Sequence, residues 1–306
     1  MRILLAAPRG FCAGVNMAVE ALDRAIALLG APLYVYHEIV HNRHVVDDFR
    51  AKGAIFVDDI EQVPVGANLM YSAHGVSPVV HQAALRRGLN VIDATCPLVR
   101  KVHLEAARFA RQGYTIVLIG HRGHDEVVGT MGQVSEPMHL VESAEDVDRL
   151  DLPRSAKIAY LTQTTLSVDD ANQIIERLRA RYPHCVGAAK EDICYATQNR
   201  QEALKRLLPK AEAVLVIGSR NSSNSSRLAE VAREGGRPAY LVDDAAEIDD
   251  AWFSGKQSVL VTAGASAPET LVVECVDRLR RRFEATVEQH TVREEDVEFP
   301  LPLEVR

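Results

Sequence analysis

The chain has 306 residues, 47% hydrophobic and 25% charged, the make-up of a globular protein long enough for two or three domains. A formal net charge of −7 disfavours a nucleic-acid partner, and no window reaches the roughly 18 uninterrupted apolar residues that a membrane helix needs. Five cysteines without a closely spaced pair fit neither a disulfide framework nor a zinc finger, and Met1-Arg2 leads straight into a strand pattern with no signal-peptide apolar region, so the expected setting is the cytoplasm.

In chain order, the apolar run from Ile3 to Ala7 predicts a strand and the segment from Asn16 to about Leu29 predicts a helix. Between them, Gly10-Phe11-Cys12-Ala13-Gly14 puts Cys12 where a strand ends and a helix begins. The N–H groups and dipole of a helix start stabilise a thiolate there. Residues 14–95 read as a first α/β unit, with strands near 33–36, 54–57, 68–72 and 90–92 and helical patterns between them. Asp93-Ala94-Thr95-Cys96-Pro97 then repeats the device, with Pro97 suited to a first helical position. It opens a second unit, 96–193, with strands near 115–119, 138–141 and 157–162. Asp192-Ile193-Cys194 repeats it again before a third unit, 194–282, with strands near 213–218, 239–242 and 258–263. The acidic remainder, 283–306, reads as an extended C-terminal tail. Cys275 shares an apolar helix face with Leu271, Val272 and Leu279 and reads as core, and Cys185 reads as part of a buried strand.

The three cysteines lie 84 and 98 residues apart, and each leads at a near-constant interval to a polar loop. His41, His124 and Ser222 follow Cys12, Cys96 and Cys194 by 29, 28 and 28 residues, and His74, Thr164 and Ser266 follow by 62, 68 and 72. Three units that each bring one cysteine and two polar strand-end loops argue for pseudo-threefold packing about a central cleft, since ligands of α/β sheets bind beyond the carboxyl ends of the strands.

On GFCAGV (10–15), HEIVHN (37–42), SAHGVS (72–77), DATCPLV (93–99), GHRGHDEV (120–127), TQTTLSVDD (162–170), DICYAT (192–197), SRNSSNS (219–225) and TAGASAPE (262–269), the sequence resembles the LytB/IspH family of 4-hydroxy-3-methylbut-2-enyl diphosphate reductases, from about residue 1 to 282. The resemblance implies three similar α/β/α units in pseudo-threefold arrangement around a central iron-sulfur site, with the N-terminal strand (1–13) joining the third unit. It gives Cys12, Cys96 and Cys194 to a [4Fe-4S] cluster that keeps one open iron. It gives diphosphate binding to His41, His74, His124, Thr164, Ser222, Ser223, Asn224 and Ser266, and proton delivery to Glu126 with Thr164. An allylic diphosphate is the implied substrate, and a ferredoxin or flavodoxin the implied one-electron donor.

Read from the residues alone, two other functions stay open. A zinc hydrolase would use His121, His124 and Glu126, without an HExxH helix and without employing the three cysteines. A phosphate-binding or redox-sensing module would use the same loops and thiols without turnover. His44, His81, His103, His121, His139, His184 and His290 read as surface or supporting residues, and the arginines at 278, 280, 281 and 282 as a solvated helix face.

Overall fold

A computed structural model describes all of residues 1–306. In chain order the elements are β1 (Arg2–Ala7), α1 (Ala13–Leu29), β2 (Leu33–Tyr36), α2 (Arg43–Ala51), β3 (Ala54–Val57), β4 (Asn68–Tyr71), α3 (Pro78–Arg86), β5 (Asn90–Asp93) and α4 (Pro97–Arg111). There follow β6 (Thr115–Ile119), α5 (Asp125–Met131), β7 (His139–Val141), α6 (Ala144–Arg149), β8 (Ile158–Thr162), α7 (Val168–Arg181) and α8 (Tyr195–Leu207). The chain ends with β9 (Ala213–Ile217), α9 (Ser223–Glu234), β10 (Ala239–Val242), β11 (Ser258–Ala263), α10 (Glu269–Phe283) and β12 (Thr286–Thr291). They form three sheets, ordered β10-β9-β11-β1-β12, β3-β2-β4-β5 and β7-β6-β8, and every pairing is parallel. No helix is long and apolar enough to cross a membrane.

The chain divides into two compact units, one made of 1–16, 41–48 and 195–298 and the other of 17–40, 49–194 and 299–306. The first holds the five-stranded sheet. Ile3 and Leu5 of β1 face one core with Leu271, Val272 and Cys275 of α10, while Leu4 and Ala6 face another with Leu204 of α8 and Leu228 of α9. Helices on both faces explain why β9 is apolar throughout (Ala-Val-Leu-Val-Ile) and fully buried. Each large aliphatic side chain removed from water there contributes about 1.5–3 kcal/mol. Cys275 is core, as expected, and burial pushes its thiol up to about 12.

β1 lies between β11 and β12, with Arg2 to Ala7 opposite Thr286 to Thr291. The expected tail therefore begins with an edge strand. Its side chains, Thr-Val-Glu-Gln-His-Thr, are almost all exposed, so main-chain bonds rather than an apolar pattern hold it.

The second unit holds the other two sheets. Val57, Leu69 and Tyr71 pack with Ala83 and Ala84 of α3. β6 and β8 bury one face against α7 through Ile174 and Leu178, and the other against α4 through Val102, Ala106 and Phe109. Cys185 departs from the strand reading: it sits half-buried in a turn after α7, and only its neighbour Val186 makes a bridge, to Ala159. The cause is local, because Pro183 removes a donor and the Cys185 N–H turns back to the Tyr182 carbonyl (2.9 Å).

Candidate active site

One construction recurs at all three loop cysteines. Each lies just before a helix, α1 for Cys12, α4 for Cys96 and α8 for Cys194. The carbonyls of Cys12 and Cys96 accept from the N–H of Asn16 and Arg100 (both 2.9 Å), so these residues cap their helices through the backbone. The cysteine N–H in each case donates to the loop beyond the neighbouring strand: Cys12 to Ala265 (3.3 Å), Cys96 to Ala73 (3.0 Å) and Cys194 to Thr164 (3.0 Å). Those acceptors belong to the second set of polar loops, next to Ser266, next to His74 and at Thr164 itself.

In the first unit, His41 precedes Asn42, a fully buried cap whose Oδ1 accepts from the Val45 N–H (3.1 Å). Ser222 caps α9 by accepting from the Ser225 N–H, and its Oγ lies 3.0 Å from the Ser225 hydroxyl and 3.2 Å from the Ser266 hydroxyl. Ser266 also lies 2.9 Å from the His41 carbonyl oxygen. Asn224 accepts from the Ala265 N–H (2.8 Å) and donates to Thr197 (3.1 Å), so its amide braces the same loop that receives Cys12. Ser223 is half-buried beside it. These groups close up because positions 218 and 264 are glycine: a Cβ would lie 2.2 Å from Ser225 Oγ at the first and 2.0 Å at the second.

In the second unit, Glu126 is 3% exposed, and both of its oxygens accept from one residue: the Thr164 N–H reaches Oε1 (2.7 Å) and the Thr164 hydroxyl reaches Oε2 (2.9 Å). His124 caps α5, its Nδ1 accepting from the Glu126 N–H (3.2 Å), which leaves Nε2 to carry the ring proton. The His74 ring stands edge-on to that of His124 at 5.9 Å, with its Nδ1 3.2 Å from Ser72 Oγ. The carboxylate of Glu126 is thus engaged at both oxygens by Thr164.

The LytB protein family profile matches residues 3–280. The chain belongs to the LytB family. A relative from Rhodopirellula baltica named 4-hydroxy-3-methylbut-2-enyl diphosphate reductase is 58% identical over 306 residues, covering 100% of this chain and 96% of its own. One of the same name from Azoarcus sp. is 57% identical over 304 residues, covering 99% and 97%. The solved structure of the E-1-hydroxy-2-methyl-but-2-enyl-4-diphosphate reductase from Plasmodium falciparum superposes with a TM-score of 0.97 at 38% identity, covering 99% of this chain and 96% of that one.

Within this LytB chain, the first unit gathers Cys12, His41, Ser222, Ser223, Asn224 and Ser266, and the second gathers Cys96, Cys194, His74, His124, Glu126 and Thr164. Sequence reasoning passed over Asp125, whose carboxylate lies 3.8 Å from His37 and 3.9 Å from His74. It passed over His37 too, which holds a left-handed backbone (φ 59°) that costs a side-chain-bearing residue energy. His103, expected as a surface or supporting residue, lies inside the fold. It is 9% exposed with no partner at Nε2, and burial lowers its pKa to about 4.

Proposed function

We propose that this chain reduces (E)-4-hydroxy-3-methylbut-2-enyl diphosphate to isopentenyl and dimethylallyl diphosphate, the closing step of the non-mevalonate isoprenoid pathway. Two electrons and two protons enter, the carbon–oxygen bond breaks, and the hydroxyl leaves as water. The names of the relatives support the substrate. The observation that carries the reading is that Thr164 holds Glu126 with its N–H and hydroxyl while its carbonyl receives the Cys194 N–H, so a proton-bearing pair and a candidate ligand are built on one residue.

Cys12, Cys96 and Cys194 would hold a [4Fe-4S] cluster. The donor set fits: these are the three thiols set at helix starts, whereas burial raises the pKa of Cys185 and of Cys275 and keeps both protonated. Bound by three cysteines, such a cluster supplies electrons singly and leaves one iron open as a Lewis acid. The chain's own residues do the rest. His41, His74, His124, Ser222, Ser223, Asn224 and Ser266 hold the diphosphate through hydroxyl, amide and imidazole donors. Glu126 gives a proton through Thr164 to the departing hydroxyl. A ferredoxin or flavodoxin would feed the cluster, and thiolate chemistry of this kind suits the reducing cytoplasm.

Anaerobically purified protein should carry about four irons per chain. It should turn over the allylic diphosphate when given a one-electron donor. Glu126→Gln should keep the iron and lose about 10²-fold or more in turnover. Zinc in place of iron, or full activity in that variant, would defeat the reading.

A further inference from the structure

The largest fully buried side chain of the protein is a charged one, Arg200 of α8. A guanidinium withdrawn from water is tolerated only when its N–H groups find acceptors, and here they do. Nη2 and Nε both donate to the Gly10 carbonyl (2.7 and 3.2 Å), and Nη1 donates to the Ala196 carbonyl (2.9 Å). The compensating charge comes from the C-terminal tail: Glu295 places its two carboxylate oxygens 3.1 and 3.3 Å from Nη1 and accepts from Asn199 Nδ2 (2.9 Å) as well. Sequence reading gave neither residue a task.

What this pair grips is the approach to Cys12. Gly10 has φ +65°, and a Cβ there would lie 3.1 Å from the Ala267 carbonyl oxygen, so its peptide plane is confined on one side by backbone and on the other by the guanidinium fork. Two residues on, the Cys12 N–H is fixed to Ala265, and the next N–H, of Ala13, points at the Tyr195 hydroxyl (3.4 Å). A neutral donor would satisfy one lone pair of Gly10. The fork satisfies the carbonyl twice, approaching it from both Nη2 and Nε.

We propose that Arg200, held by Glu295, is the positioning residue for Cys12, fixing the Gly10 carbonyl and with it the direction in which the Cys12 sulfur projects. The tail is therefore a working part of the site. This rests on the assignment of Cys12 as a cluster ligand.

The test uses Arg200→Lys, which keeps the charge but cannot form the fork, and Glu295→Gln, which keeps the shape and removes the counter-charge. In metal-free protein, amide hydrogen exchange in peptides spanning residues 9–13 should quicken about tenfold in both variants, with peptides from β6 and β8 unchanged. After anaerobic reconstitution, both variants should release iron to a chelator faster than wild type, and the electron paramagnetic resonance spectrum of the reduced protein should broaden. Should Arg200→Lys fail to fold, Glu295→Gln alone decides. Unchanged exchange at residues 9–13 overturns the positioning role. A wild-type chain that takes up no iron overturns the ligand assignment instead, and the two results come from separate samples.

Discussion

The stretch leading into Cys12 and the stretch leading into Cys194 are held by cations of opposite character. Gly10 is gripped by a planar guanidinium fully shut off from water, whose charge is balanced by a carboxylate from the far end of the chain. Before Cys194, Lys101 of α4 donates to the carbonyls of Lys190 and Glu191 (2.7 and 2.8 Å) and to Asp192 Oδ1 (2.9 Å), with its side chain 27% exposed. A compact ammonium with three donors suits three scattered acceptors, and a planar fork suits one carbonyl approached from two sides. Each cation sits on a helix that begins at another cysteine, five residues after Cys96 and six after Cys194. Five residues after Cys12 stands Met17, which with Asp93 and Thr95 lines a cavity of about 630 Å³ in place of a third clamp. The lesson is that repeated architecture does not repeat its energetics: water can relieve the lysine, and nothing can relieve the arginine.

The contrast can be broken most directly at Arg200. Arg200→Met leaves the Gly10 carbonyl and Glu295 without their donor and should lower unfolding free energy by about 3–5 kcal/mol in a urea melt. Next in size is a pH effect confined to the second unit. His103 is buried neutral under Gly75, with Asp93, Arg100 and His81 as its charged or titratable neighbours, and its pKa is lowered to about 4 by burial. The unfolded chain binds that proton more readily, so stability is full above the ordinary imidazole value and drains as pH falls from about 6.5 toward 4, by about 3 kcal/mol in all. His103→Leu should flatten this slope.

Lys101→Met should cost less than the arginine, about 1–3 kcal/mol, because water can enter the vacated position. If Lys101→Met equals or exceeds Arg200→Met, the contrast drawn from burial is wrong. Smallest of all should be Ser143→Ala. It removes the cap of α6, which is shared with Asp146, at a cost of about 1 kcal/mol.

Apolar runs bounded by Gly, Pro and Asp marked the inner strands almost to the residue, because a strand buried on both faces leaves an uninterrupted pattern. β12 left none, since its pairing is made by main-chain atoms and its side chains stay in water. The intervals of 28 and 29 residues were legible because each ends at or beside a helix cap, Asn42, His124 or Ser222, whose chemistry is restricted to short polar side chains and imidazole. What sequence could not show of Asn224 is that its amide also braces the fold, accepting from the Ala265 N–H and donating to Thr197. Arg200 was the least legible. It stands among Gln198, Asn199 and Gln201, a run that looks like a solvated helix face, although Asn199, Arg200 and Gln201 are all buried. A periodicity argument assumes that polar means exposed, and it fails where a helix is enclosed by loops that offer it carbonyls.

The position of β1 bears on how the protein is made. β1 lies between β11 and β12, which are synthesised long after it. During translation β1 must wait unpaired while every element between it and β11 is made. Neither the sheet that leads into Cys12 nor the Glu295 counter-charge can form until β11, β12 and residue 295 have been made, so the approach to Cys12 takes its final geometry late, after the segments between have had time to fold.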